Sequence, residues 1–138
     1  MHADYEDSVL ELPDGKDLTP RNLYWHALKV IKGRWPEAEP IIMEDSHIAY
    51  YYARNIIKGR WPEAEPYIIE DLKCAYKYAD EVINGRWPDA EPTIMKNPTY
   101  AYRYACEVIK DRWPEAEPII MGNAYRWIDY CEHFGISE

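Results

Sequence analysis

The sequence predicts an all-α fold, an α-solenoid of about four and a half helix-turn-helix repeats of 26 residues each. The first observation is a motif, GRWPEAEP at residues 33–40, that returns three times in nearly the same form. The second is the spacing of its tryptophans, which is 26 residues throughout: Trp35, Trp61, Trp87 and Trp113. The third is that flanking positions keep the same offset: Ala27, Ala53, Ala79 and Ala105. A fixed period of this size is typical of tandem structural repeats.

A long helix in each repeat is indicated by the residues at its two ends. Five good N-cap residues occupy one column of the repeat: Thr19, Asp45, Asp71, Asn97 and Asn123. Pro20 and Pro98 follow two of these caps at the first helical position, where a missing N–H costs nothing. About thirteen residues later, a column of glycines is placed to end each helix, and Asp111 is its one departure: Gly33, Gly59 and Gly85.

A second, shorter helix is expected in the segment RWPEAEP. The first proline of each motif suits the first turn of a helix, but a second proline four residues later would clash with the carbonyl of the first. The segment is therefore either a kinked turn followed by a short helix, or a helix that begins only at the second proline. We expect a short, irregular helix that ends near one column of the repeat: Met43, Ile69, Met95 and Met121.

The repeated tryptophans and arginines are predicted to be structural. A tryptophan at one position in every repeat would form a ladder between layers, and burial of each ring is worth about 2–3 kcal/mol. The arginines lie beside the acids of the same motif, so we expect their guanidinium groups to bridge carboxylates or carbonyls of neighbouring repeats. These arginines form one column: Arg34, Arg60, Arg86 and Arg112.

Binding residues are predicted where the repeat varies. Three columns of the long helix change chemistry from repeat to repeat and share one face at i, i+3 and i+4: Trp25/Tyr51/Lys77/Arg103, Leu28/Arg54/Asp80/Cys106 and Lys29/Asn55/Glu81/Glu107. The best candidates are Tyr51, Arg54, Lys77 and Arg103, because tyrosine and arginine most often dominate interface energetics. An equally weighted alternative is that this face is merely solvated. A further alternative places binding on an acidic edge: Glu37, Glu63, Asp89 and Glu115.

Charge and composition narrow the classes of partner. The net charge is −9, and residues 1–19 account for −5 of it through six acids and one lysine. We interpret residues 1–19 as an acidic capping segment, whose apolar residues Tyr5, Val9, Leu10 and Leu12 cover the first repeat. Residues 20–138 form the tandem repeat domain, which ends in a capping helix. Because no basic patch is visible, direct binding to nucleic acid is disfavoured and a basic protein is the better electrostatic match.

The sequence does not indicate a membrane protein, a metal-binding protein or an enzyme. No apolar run approaches the ~20 residues of a membrane helix, so we expect a cytoplasmic protein. Three cysteines in different columns form no C-x-x-C pair, so no zinc site, disulfide framework or cofactor is expected. Asp129, Cys131 and His133 lie at i, i+2 and i+4, and a Cys–His nucleophile pair would need the last two to face each other. The sequence therefore predicts no enzyme.

Two copies of the repeat carry a resemblance to known sequences: AYYYARNIIKGRWPEAEPYII and AYRYACEVIKDRWPEAEPIIM. This unit resembles short tandem helical repeats with an RWPEAEP motif in uncharacterised proteins of bacteriophages and some bacteria. The resemblance covers about residues 20–134. It implies an all-helical repeat fold and a viral or bacterial origin, and with a viral origin the host cytoplasm as the location. It implies no particular activity.

The expected function is that of a non-enzymatic protein-interaction module, such as a phage protein that binds and modulates a host or defence protein. One alternative is a structural protein that assembles head to tail into oligomers or fibres, as repeats with insufficiently polar ends can do. Another is an acidic mimic of DNA, which the arginine in every motif disfavours.

Overall fold

The computed structural model describes residues 10–137, and these residues form helices and turns. The chain divides into two compact units, Met1–Tyr67 and Ile68–Glu138. The described part contains nine α-helices in repeated units of 26 residues. The protein therefore has the all-α tandem repeat fold that the sequence predicts.

The first unit contains two repeats. Its α-helices are α1 (Pro20–His26), α2 (Glu39–Ile42), α3 (Ser46–Tyr52) and α4 (Glu65–Ile68), the last of which reaches one residue into the second unit. The long helices α1 and α3 each continue into one wider π-helical turn: Ala27–Ile31 and Ala53–Ile57. Helix α1 packs against both α2 and α3, so consecutive elements are also neighbours in space.

The second unit repeats this plan. Its α-helices are α5 (Leu72–Tyr78), α6 (Glu91–Ile94), α7 (Pro98–Tyr104), α8 (Glu117–Met121) and α9 (Ala124–Phe134). Helices α5 and α7 again continue into π-helical turns: Ala79–Ile83 and Ala105–Ile109. Helix α7 packs against α5 on one side and against α9 on the other.

The five long helices begin at the predicted caps. Each cap residue has an extended backbone, and its side-chain oxygen accepts a hydrogen bond from a backbone N–H two or three residues further on. The carboxylate of Asp45, for example, accepts from the N–H of Ile48 at 3.0 Å. The cap column is thereby confirmed in full: Thr19, Asp45, Asp71, Asn97 and Asn123.

The predicted role of the glycine column is wrong. The left-handed residue at the end of each π-helical turn is the one before the glycine position: Lys32, Lys58, Asn84 and Lys110. The N–H of Lys32 bonds to the carbonyl of Ala27, five residues back, at 2.7 Å, so the wider last turn ends the helix one residue early. A Cβ on Gly33, Gly59 or Gly85 would meet nothing within 4 Å, which explains why Asp111 is accommodated in the same column.

The short helices follow the first of the two predicted arrangements. A tight turn begins at the first proline of each motif, and a short α-helix follows with the second proline at its second position. In the second repeat the 3-10 turn Pro62–Ala64 leads directly into α4. Because a proline at this position needs no helical N–H partner, both prolines fit without a clash. The short helices end within one residue of the predicted column.

The core is built from the repeated columns. Trp61, Trp87 and Trp113 are each 1% exposed, and the motif alanines are fully buried: Ala38, Ala64, Ala90 and Ala116. Leu12 is also buried and Leu10 is half-buried. The other two residues of the expected N-terminal cap, Tyr5 and Val9, lie outside the described residues.

Candidate functional site

Each motif holds an ion pair between its arginine and its second acid. Nε and Nη2 of Arg34 donate to the two carboxylate oxygens of Glu39, each at 2.9 Å. The same two-bond geometry recurs at 2.8–3.0 Å in the other motifs: Arg60–Glu65, Arg86–Glu91 and Arg112–Glu117. Because two parallel hydrogen bonds fix both groups in one plane, the pair orients the carboxylate as well as neutralising it.

A tyrosine of the next long helix completes this arrangement. The hydroxyl of Tyr52 on α3 donates to Glu39 at 2.7 Å and accepts from the backbone N–H of Trp35 at 2.7 Å. In the second unit Tyr104 bonds to Glu91 and Trp87 in the same way, and Tyr130 bonds to Glu117 and Trp113. We call the arginine, glutamate, tyrosine and tryptophan N–H together the clamp. It joins one repeat to the next through a buried hydroxyl that both donates and accepts.

The clamp shifts the pKa values of its acid and its phenol in opposite directions. The Arg86 guanidinium lowers the pKa of Glu91 against the effect of burial, and the Tyr104 hydroxyl lowers it further. Burial raises the pKa of Tyr130 to about 12, and the hydrogen bond to Glu117 raises it in the same direction. At neutral pH the clamp therefore combines a charged carboxylate with a neutral phenol.

The main partner of each motif arginine lies within its own motif. Each guanidinium pairs with the glutamate of its own motif, five residues along the chain, and Arg112 also hydrogen-bonds to Tyr130 of the next repeat. The tyrosine makes the connection, and the sequence interpretation missed it. The signal was available, because these tyrosines share the period of 26 residues: Tyr52, Tyr78, Tyr104 and Tyr130.

The motif tryptophans pack against the tyrosine nine residues earlier. Ring centroids lie 4.8 Å apart for Tyr52 and Trp61, and 4.9 Å apart for Tyr104 and Trp113. The first repeat departs from this pattern, because His26 replaces tyrosine and lies 5.0 Å from a half-buried Trp35. The expected structural role agrees with the burial of the three later tryptophans.

The twelve residues of the varied columns are all exposed or half-buried. Among the preferred candidates, Tyr51, Arg54 and Arg103 are exposed and Lys77 is half-buried. Several of their neighbours in the same columns are half-buried because they lie at the edge of the packing between consecutive long helices: Leu28, Asn55, Asp80 and Cys106. The varied face is thus the rim of the repeat-to-repeat packing, at the border of solvent.

In the first unit this rim is aromatic. Trp25 is 45% exposed, and the Lys29 ammonium lies 5.3 Å from its ring centroid. Tyr51 is 37% exposed and lies 6.4 Å from the ring of Tyr24. The amide of Asn55 donates to the Tyr24 hydroxyl at 2.8 Å, which holds α1 and α3 together along this edge.

In the second unit the rim carries charges of both signs. The Arg103 guanidinium lies 6.0 Å from the ring centroid of Tyr100, and that ring lies 5.8 Å from Tyr76. Burial raises the pKa of Tyr76 to about 12, and the negative charge of Asp80 adds to the effect. Burial also raises the pKa of Asp80, with contributions from Glu81 and Glu107. The rim of the second unit is therefore locally acidic beside Arg103.

Each unit contains a groove at the carboxyl ends of two consecutive long helices. Groove A, in the first unit, has a volume of about 230 Å³ and is lined by Leu28, Lys32, Gly33, Asn55, Ile56 and Lys58. Groove B, in the second unit, has a volume of about 300 Å³ and is lined by Asp80, Asn84, Gly85, Glu107, Val108 and Lys110. The two linings occupy the same six columns of the repeat, so the same backbone frame presents two different chemistries.

The acids of the alternative acidic edge are all exposed: Glu37, Glu63, Asp89 and Glu115. Each is the first acid of its motif, and the second acid is the one that the clamp arginine neutralises. The charge of Glu63 contributes to the raised pKa of Arg34, so this edge lies close to the clamp of the preceding repeat.

The residues considered for a nucleophile pair occupy different environments. Cys131 is buried, His133 is exposed against the ring of Phe134, and Asp129 accepts a hydrogen bond from Arg126 at 2.8 Å. Burial raises the pKa of a second cysteine, Cys106, to about 11, which keeps its thiol protonated at neutral pH.

None of the helices described between residues 10 and 137 combines the length and the apolar character that a membrane span requires. Comparison with known protein families, with curated proteins and with solved structures found no match to this chain.

Proposed function

We propose that this chain is a non-enzymatic protein-interaction module whose varied rim contacts a protein partner. The observation that carries the proposal is the contrast between a constant clamp and a rim that changes at the same columns. Solenoid proteins use such surfaces for binding. In the first unit, the exposed aromatic Tyr51 and the exposed cation Arg54 are of the residue types most enriched in interface hot spots.

The charge favours a partner with a basic surface. The chain carries a net charge of −9, and the acids of groove B and of the acidic edge are exposed or half-buried. The resemblance to phage and bacterial repeats adds a biological setting, in which the partner is a host or defence protein in the bacterial cytoplasm.

The test is an affinity capture from bacterial lysate with the tagged full chain and two matched variants. The rim variant changes Tyr51, Arg54, Lys77 and Arg103 to alanine. The control variant changes three exposed residues of another column to alanine: Glu44, Glu70 and Lys96. We expect both variants to keep the helical circular dichroism signal and to melt within several degrees of the wild type, because each substitution at a largely solvent-facing position shifts stability by about 0.5 kcal/mol or less.

We expect the rim variant, and not the control, to bind the recovered protein at least about tenfold more weakly, a loss of about 1.4 kcal/mol. If the rim variant unfolds, the rim is a packing surface and the proposal fails. If it stays folded and binds fully, the rim is not the binding surface. The acidic edge is then tested in the same capture experiment by changing Glu37, Glu63 and Glu115 to glutamine and Asp89 to asparagine.

A further inference from the structure

Large apolar side chains are exposed mainly in the first and last repeats. Of the nine such residues in the described part of the chain, four belong to the first repeat and its entry, and three to the last. The first group is Leu18, Trp25, Val30 and Ile31, and the second is Met121, Tyr125 and Ile128. Exposed apolar groups of this kind mark surfaces of association when they cluster.

The exposed side of α9 corresponds to a surface that is covered in earlier repeats. Ile128 is 53% exposed, whereas Tyr24 and Tyr76 in the same column are 7% and 9% exposed. Tyr24 is covered by the next long helix through Tyr51 and Asn55, and Tyr76 is covered through Tyr100. The α9 helix therefore presents the forward side of a repeat without the helix that covers it elsewhere.

The exposed side of α1 corresponds to the complementary surface. Trp25, Lys29 and Val30 stand in the columns of Tyr51, Asn55 and Ile56, which face the preceding long helix in groove A and its rim. In the first repeat Trp25 of α1 and Lys29 and Val30 of the π-helical turn that continues it line an N-terminal groove of about 440 Å³, together with Asn22 and His26. Residues 12–14 and Lys16 form its other wall. Trp25 is 45% and Val30 is 64% exposed, so the backward side of the repeat is also incompletely covered.

We propose that two copies of this chain associate head to tail, with the exposed side of α9 in one copy packed against the α1 wall of the N-terminal groove in the other. The contact continues the register of the repeat-to-repeat packing that is already present within each unit. In that register Trp25 of the second copy meets Ile128 of the first, as Tyr51 meets Tyr24.

Two charged residues that this head-to-tail packing brings together have opposite signs. Groove A brings the columns of Leu28 and Asn55 together, and these are the columns of Glu132 and Lys29. Head-to-tail packing therefore places the exposed Glu132 of one copy opposite the exposed Lys29 of the other. Opposite charges at such a position favour this register over a slipped one.

The association is expected to be reversible, because it lacks the clamp. The first repeat carries His26 where later repeats carry the clamp tyrosine, so α1 has no phenol to donate to a glutamate of the other copy. The average molecular mass of the particles in solution should therefore rise with protein concentration and fall again on dilution.

Sedimentation velocity of the full chain across a roughly hundredfold range of concentration tests the proposal. Two variants each block one end, Ile128→Asp on α9 and Val30→Asp on the π-helical turn that continues α1. Tyr67→Asp is the matched control, because it also places a carboxylate on an exposed apolar residue. Circular dichroism checks that each variant is folded.

We expect the wild type and the control to form dimers and higher species, and each end variant alone to stay monomeric. An equimolar mixture of the two end variants should form a dimer and nothing larger, because it contains one intact pair of surfaces. The mixture of Lys29→Glu with Glu132→Lys should associate more strongly than either variant alone.

Two results would overturn the proposal. A wild type that stays monomeric at every concentration excludes association. If Val30→Asp still dimerises while Ile128→Asp does not, the α9 helices pair with each other instead. Either result leaves the proposed binding of a foreign protein unaffected, because that proposal is tested by capture with the rim variant.

Discussion

Groove A and groove B occupy the same six columns of the repeat and differ in the side chains of four of them. Groove A contains Leu28 and Asn55 beside two lysines, whereas groove B contains Asp80 and Glu107 beside one lysine. The clamps next to the two grooves are nevertheless the same, with hydrogen-bond lengths that agree within 0.1 Å between Tyr52 and Tyr104. The clamp therefore holds the backbone frame in both units, and the side chains that line the grooves are free to differ.

The largest expected effect comes from removal of a buried motif tryptophan. Trp61→Ala should lower the free energy of unfolding by about 3–5 kcal/mol, because a large ring that is 1% exposed is lost. Trp35→Ala should cost less, about 1–2 kcal/mol, since Trp35 is half-buried beside His26. Urea denaturation of both variants measures the difference. Equal losses of unfolding free energy in the two variants would show that Trp35 and Trp61 stabilise their repeats to the same extent.

The clamp hydroxyl should have the next largest effect. Tyr104→Phe removes a donor to Glu91 and an acceptor for the N–H of Trp87, and both partners remain in a largely buried site. We expect a loss of about 1–3 kcal/mol in the free energy of unfolding. Tyr125→Phe is the control, because Tyr125 is 77% exposed. A loss at Tyr104 no larger than that at Tyr125 would mean that the hydroxyl does not hold the repeats together.

The position of the helices could be predicted from the sequence because caps and prolines act locally. Each cap side chain satisfies an N–H of its own first turn, so a column of Thr, Asp and Asn is sufficient to place five helix starts. The end of each helix could not be predicted in the same way. The π-helical turn moves the left-handed position onto Lys58, a residue that carries no sequence signal for that conformation.

The clamp was only half predictable for a different reason. Tryptophan and arginine stand beside each other in the motif, but the tyrosine lies 17 residues after the tryptophan N–H that it accepts from. No local rule connects residues at that separation, and only the period of 26 residues indicates that Tyr52 and Tyr104 act alike. The N-terminal groove had no periodic signal, because residues 12–14 stand outside the repeat.

Acid should weaken the clamp. The folded-state pKa of Glu91 lies below its ordinary value of 4.5, so its contribution is present above that pH and is lost as the pH falls through the folded-state value. Urea titrations from neutral pH down to about pH 3 should therefore show falling stability. Glu91→Gln should be less stable than wild type at neutral pH, and the two curves should approach each other in acid. If the difference in unfolding free energy between wild type and Glu91→Gln stays constant across the pH range, the charge of Glu91 does not stabilise the clamp.

The smallest effect should come from exchanging the chemistry of the two grooves. Asp80→Leu places in groove B the residue that groove A has in the same column. Burial, together with Glu81 and Glu107, raises the pKa of Asp80, so the folded protein disfavours its charged form. The substitution removes this penalty, and we expect stability at neutral pH to be unchanged or to rise by about 0.5 kcal/mol.

The pH dependence of this exchange separates charge from packing. Below the ordinary value of 3.8 the wild-type Asp80 becomes neutral, so any gain of Asp80→Leu that comes from charge should vanish there. The reciprocal variant Leu28→Asp should lose stability, because a half-buried apolar contact is removed, although Lys32 and Lys58 line the same groove. Thermal denaturation of both variants, at neutral pH and below pH 3.8, measures whether each substitution raises or lowers stability. A large loss of stability in Asp80→Leu would instead mean that the repeat frame depends on the side chains that line each groove.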